Sequence, residues 1–215
     1  MQARRPRRFD ALLAGVVVGA MLFSIAVIDR PVAYLMFRHF HESRAPFILP
    51  TRIVDVLEVL AAIGLLWSGF NHALRRPFGR TGQIVLRTSL ALFVAIGVKD
   101  LLKLAFGRTW PETWTCGNPS LIRDAAYAFS PFHGGAGWAS FPSGHQTLTC
   151  AVAACLWVLA PRFRPAYVLV ALTVAVSLLF ADFHFVSDVL AGSLAGWMVG
   201  LFVARVDLTK AQPLA

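Results

Sequence analysis

Charge is what this sequence has least of. Asp, Glu, Lys and Arg make up 14% of its 215 residues, against about a quarter in an ordinary soluble domain. The shortage is sharpest for acids, 11 against 20 Lys and Arg. Glu112, Asp124 and Asp182 stand scattered along the chain, so no carboxylate cluster for magnesium is expected. Cysteine is scarce too: Cys116, Cys150 and Cys155 show no C-x2-C spacing and the last two fall in an apolar run, which argues against a disulfide framework or a zinc site. No cofactor is expected. There is no internal repeat, heptad or low-complexity tract, and residues 1–215 read as a single domain with a basic N-terminal tail and a short tail from about Val206.

Apolar residues fill the gap, at 57% of the chain and a mean hydropathy of +0.65. Six runs, at 11–28, 53–70, 84–98 continuing to 106, 146–160, 166–180 and 186–203, approach or reach the roughly 17 to 25 residues that cross a bilayer as a helix. The expectation is an all-α bundle of six transmembrane helices. Arg4, Arg5, Arg7 and Arg8 precede the first run, but no A-x-A cleavage signal follows before Asp29 and Arg30, so it is read as a true helix. With both termini cytoplasmic, inside segments hold 12 basic residues and outside segments 7, with Lys99 inside a helix. This bias explains the net charge of +9 as membrane topology rather than nucleic-acid binding, and predicts a multi-pass protein of the cytoplasmic (inner) membrane.

Polar residues gather in two segments on the predicted outer side. The first, 107–142, is too long for an unstructured connection and carries Trp110, Trp114 and Trp138, read as an interfacial belt. It ends in FPSGH, 141–145. Ser143 can cap the helix that follows, the helix N-terminus favours an anion, Gly144 admits it to the backbone, and His145 can donate a proton beside it. The second segment, ADFHFVSDVLAG, spaces His184 and Asp188 at i, i+4 on one helix face. A carboxylate that holds one imidazole nitrogen leaves the other free to act as a nucleophile. In KLAFGRTWP, Lys103 and Arg108 can converge on a phosphate, as a point charge and a fork. Lys99 is read as a snorkelling residue; Arg123 and His133 are weaker candidates. Asp55 and Glu58, close to Arg52, are read as structural charge pairing, with pairing to the site's basic residues as the alternative.

In order and spacing these motifs resemble the type 2 phosphatidic acid phosphatases, membrane relatives of bacterial acid phosphatases and vanadium haloperoxidases. The family pattern is K-x6-R-P, then P-S-G-H, then S-R-x5-H-x3-D, and the resemblance covers roughly residues 84–204. Pro142, Ser143, Gly144, His145, His184 and Asp188 match; Trp110 and Leu178 stand where the family has arginine. The resemblance implies a metal-independent lipid phosphatase with its site at the outer, periplasmic face. His184, helped by Asp188, would form a phosphohistidine, His145 would protonate the leaving oxygen, and Lys103, Arg108, Ser143 and Gly144 would hold the phosphate. Implied substrates are a prenyl diphosphate, lipid A, phosphatidylglycerol phosphate or phosphatidic acid, in contact with membrane lipids and without nucleic acid. The two lost arginines leave open a silent lipid-phosphate-binding member; a vanadate peroxidase and a transporter or channel are further alternatives.

Overall fold

The chain was analysed as a computed structural model, which describes residues 8–76, 79–114 and 117–206. Cys116, Arg4, Arg5, Arg7 and Lys210 lie outside them. Among the described residues every regular element is helical: α1 (Arg8–Phe23), a π turn (Ser24–Ile28), α2 (Asp29–Phe40), the short α3 (Ala45–Ile48), α4 (Ile53–Ala73), α5 (Arg80–Phe106), the short α6 (Leu121–Asp124), α7 (Gly144–Leu159), α8 (Arg164–Phe180) and α9 (Val186–Arg205). Four helical stretches, Leu12–Ser43, Ala45–Ala73, Pro161–Phe180 and Val186–Arg205, are long and apolar enough to cross a membrane. Helix α5 has 27 residues but carries Lys99, Asp100 and Lys103 near its end, and α7 has only 16.

The first helix departs from the expected stop before Asp29. Helical structure runs on through the π turn to Phe40, because Asp29 does not need water: its carboxylate is 1% exposed and accepts hydrogen bonds from Arg108, Ser187 and Tyr127. A charge satisfied inside the protein does not have to end a helix.

Helix α7 is the centre, and residues Gln146 to Cys155 are all buried. Its main partner is α9, which approaches on a stripe of Gly192, Gly196 and Gly200. A Cβ at Gly196 would lie 2.1 Å from the Thr147 carbonyl oxygen, and one at Gly200 would lie 2.2 Å from that of Ala151. Small residues at i, i+4 spacing let two backbones touch where lipid offers no hydrophobic drive between helices. Ser143 Oγ caps α7 by accepting the Gln146 N–H, at 3.4 Å, and the Ser143 N–H donates to the Asp188 carbonyl at 3.0 Å. The closeness of α7 and α9 therefore sets the relative position of the FPSGH and HFVSD segments.

Replacing Gly196 by Val should destabilise the protein by about 1 to 3 kcal/mol or more through overpacking against backbone, read as a lower melting temperature in detergent. Gly69→Ala, on α4 with nothing within 4 Å of the new Cβ, should leave it unchanged.

Candidate active site

The long segment after α5 is ordered by its own backbone. Gly107 ends α5 in the left-handed region, φ 54°, where a Cβ would fall 2.0 Å from the Ser130 carbonyl oxygen; glycine is required by both. Beyond it Arg108 pairs with Phe129 and Ala139, and Trp110 with Ser120, as isolated β bridges. Thr109 N–H donates to the Ala128 carbonyl and Ser140 N–H to that of Arg108.

This turn sends Arg108 inward rather than toward a ligand. Its side chain is 0% exposed. Nη2 donates to Asp29 Oδ2 at 2.7 Å, and Nη1 donates to Ser187 Oγ at 2.6 Å and to Asp188 Oδ1. The rings of Tyr127, Phe129 and Phe185 surround the guanidinium, with centroids 4.9, 4.7 and 4.3 Å away. Burial alone would lower its pKa, but the carboxylates of Asp188 and Asp29 outweigh that and hold it above the ordinary value. The phosphate-binding role expected for Arg108 does not fit this place; what it holds is Asp188.

Asp188 is correspondingly engaged on both oxygens. Oδ2 accepts from Ser140 Oγ at 2.6 Å and from the Phe185 N–H at 3.0 Å, which also closes the N-terminus of α9. His184 Nδ1 lies 3.4 Å from the same oxygen. With Nδ1 turned to the carboxylate, Nε2 is the nitrogen left for chemistry. Burial lowers the His184 pKa against the pull of Asp188. The backbone N–H of His184 points to the Leu178 carbonyl at 3.4 Å.

Lys103, at the end of α5, donates through Nζ to the Ala139 carbonyl. His145 stands in the first turn of α7, an electrostatic neighbour of both His184 and Lys103. Lys99 joins them. A Cβ on Gly144 would meet Lys99 Cδ at 3.3 Å and Lys103 Cε at 3.7 Å, so two lysines one turn apart lie against the positive end of α7. The signal was available in their i, i+4 spacing, and the snorkelling reading passed over it. Lys99 Nζ is otherwise paired with Asp100 at 2.6 Å.

The remaining residues sort themselves by contact. Trp110, in the position of a family arginine, packs against His184 with ring centroids 5.2 Å apart and lies 5.5 Å below Lys103 Nζ. Trp114 packs on Phe183 and His133 stacks on Trp138, so the three tryptophans have fixed partners within the protein. Leu178 is 0% exposed, in an apolar cluster with Val174 and Val189. Arg123 is bound to Asp124 and to the carbonyls of Gly117 and Asn118. Asp55 pairs with Arg52 at 3.2 Å, both exposed, and lies near enough to act on His145; Glu58 is exposed on α4.

Two of the three acids that are scattered in sequence come together in space, while Asp124 stays with Ser120 and Arg123. Glu112 and Asp182 meet His41, offering ligand atoms within 4.8 Å of one another, so three distant segments converge here. Burial, and then Glu112, push the Asp182 carboxyl up to about 7.

The Arg108 arrangement is directly testable. Asp29→Ala leaves the guanidinium with one carboxylate and should destabilise the protein by about 3 to 5 kcal/mol, the range for halving a buried ion pair, measured by thermal unfolding. Arg108→Lys, with one nitrogen for two carboxylates, should fall in the same direction.

The chain is similar to known proteins in sequence and in fold. The chain is 36% identical to a lipid A 1-phosphatase of Rhizobium etli over 94% of its length and 86% of the relative's. It is 29% identical to a lipid A 1-phosphatase of Rhizobium johnstonii, over 94% and 82%. The crystal structure of a transmembrane PAP2 type phosphatidylglycerolphosphate phosphatase from Bacillus subtilis shares the fold, with a TM-score of 0.51 at 17% identity, over 88% of this chain and 93% of that one. The PAP2 superfamily profile matches residues 84–211, and the chain belongs to that superfamily.

Proposed function

We propose that the protein removes phosphate from a membrane lipid by two displacements at His184, and that its substrate is the glycosyl 1-phosphate of lipid A. That it is a multi-pass membrane lipid phosphatase follows from its superfamily, its relatives and its apolar helices. The observation that carries the rest is the convergence of Lys99, Lys103, the capped N-terminus of α7 and two histidines on one place.

In the first step His184 Nε2 attacks phosphorus, the bond from phosphorus to the lipid oxygen breaks, and His145 gives its proton to that oxygen. Asp188 stabilises the positive charge that develops on the His184 ring. In the second step water attacks the phosphohistidine, returns a proton to His145, and inorganic phosphate leaves as the phosphorus–nitrogen bond breaks. The transferring group needs charge around its equatorial oxygens more than covalent help. Lys99, Lys103, the Ser143 hydroxyl and the Gly144 N–H supply it. Arg108 acts one layer back, holding Asp188.

The choice of lipid A over a prenyl diphosphate, phosphatidylglycerol phosphate or phosphatidic acid is supported by the two relatives named for it. The four long apolar stretches, together with α5, the 16-residue apolar α7 and the basic bias, support six passes with cytoplasmic termini. The segments 107–143 and 181–185 then open together on the outer face, where a lipid headgroup reaches them while its tails stay in the bilayer.

The test is phosphate release by purified protein in detergent from those four lipids. His184→Ala and His145→Ala should each lower kcat by at least about a hundredfold, the lower end for acid–base participation. Acid-quenched wild type should carry labelled phosphate that His184→Ala lacks. Release equal in wild type and both variants would sink the mechanism; no release from any lipid would make the chain a silent lipid-phosphate binder. A separate expectation concerns Lys99→Met: kcat/KM should drop roughly tenfold, the equivalent of one lost charge contact of about 1.4 kcal/mol.

A further inference from the structure

Three segments that are far apart in sequence meet beside the turn that carries His184. His41 comes from the 3-10 turn after α2 (His41–Ser43), Glu112 from the segment after α5, and Asp182 from the turn between α8 and α9. His41 Nδ1 lies 3.3 Å from Glu112 Oε1. Arg44 Nη1 bonds Glu112 Oε2 and lies 3.1 Å from His41 Nδ1. The guanidinium therefore occupies one side of the cluster and neutralises one carboxylate.

Asp182 is left over. It is 1% exposed, and neither of its carboxylate oxygens has a hydrogen-bond partner among the described residues. Its neighbours Glu112 and Arg44 act on it through charge alone. Two carboxylates against one guanidinium leave a net negative charge around an inward-facing, unpartnered acid, and buried groups of this kind are paired or bind metal. One imidazole and two carboxylates form a mixed nitrogen and oxygen donor set, which suits zinc and, with its oxygen share, manganese.

We infer that His41, Glu112 and Asp182 bind a divalent cation of the zinc or manganese kind, which clamps the end of α2 and the Trp110 segment to the turn before His184. The ion lies outside the phosphate cradle, and its binding is independent of the lipid substrate. The three protein donors leave coordination positions to water.

The test uses the purified full chain in detergent without substrate, stripped with EDTA, dialysed into metal-free buffer and titrated with Zn2+ or Mn2+ alone. Metal content after removal of free ion, affinity against a chromophoric chelator and melting temperature are read together. Wild type should retain about one equivalent of one of the two ions and melt at a higher temperature with it. Asp182→Asn and His41→Ala should each weaken binding at least about tenfold and lose the melting shift. Asp182→Asn removes the unpartnered charge without changing size, and His41 has a side chain 34% exposed, so both variants should fold. His184→Ala should bind as wild type does. Failure of wild type to retain either ion would overturn the inference, leaving a proton on Asp182 as its partner. So would binding that survives in both ligand variants, or binding lost in His184→Ala alone, which places the ion among the catalytic histidines.

Discussion

Arg108 carries a permanent charge into a place closed to water, and the geometry around His184 depends on how that charge is met. Two carboxylates from opposite ends of the sequence, Asp29 and Asp188, take its two terminal nitrogens, and three aromatic rings close the faces. Desolvating the guanidinium is expensive, so the attraction returns enough only while both partners stay in place. The arrangement fixes the Asp188 carboxylate in angle, which in turn orients the imidazole. It also makes the first helix part of the site, although Asp29 lies outside the 84–211 stretch that matches the superfamily.

The glycine stripe of α9 serves the same end by packing. With Gly192, Gly196 and Gly200 against the backbone of α7, the two helices cannot slide without collision or loss of contact. A direct bond from the Ser143 N–H to the Asp188 carbonyl joins their N-termini. In the proposed mechanism one helix brings the general acid and the anion-binding end, the other the carboxylate beside the nucleophile. Their separation is thus set by backbone contact rather than by flexible side chains, the condition under which positioning is effective in catalysis.

How much of this was readable in sequence depended on the range of the interaction. The apolar runs all fall in helices, four of them long enough to cross a membrane, and the i, i+4 spacing of His184 and Asp188 pointed to their contact, although His184 stands in the turn before α9 rather than on its face. Such features are local, written in periodicity and caps. The inward turn of Arg108 was not readable in its distance from Lys103, because Gly107 turns left-handed and swings the next residue toward Asp29 and Asp188. Asp29 looked like a helix-ending charge since its partners are 79 and 158 residues away. The same reason hid His41, Glu112 and Asp182, whose meeting is purely tertiary.

The two absent arginines take on a definite meaning in this frame. Position 178 lies in a closed apolar cluster with Val174 and Val189, so an arginine there would need a different packing of α8 on α9. Position 110 holds an indole against His184, tied by its Nε1–H to the Ala136 carbonyl at 2.8 Å. The positive charge that is present stands on the face of α5, where Lys103, the lysine of the family pattern, and Lys99 are one turn apart. Lysine offers a point charge where arginine offers a directed fork. In the proposed reaction the lysines therefore supply attraction, while direction comes from the fixed donors of the α7 N-terminus, the Ser143 hydroxyl and the Gly144 N–H. A cradle built this way tolerates the loss of bidentate contacts only because α7 is held rigidly, which makes the α7–α9 contact a requirement of the chemistry as well as of the fold.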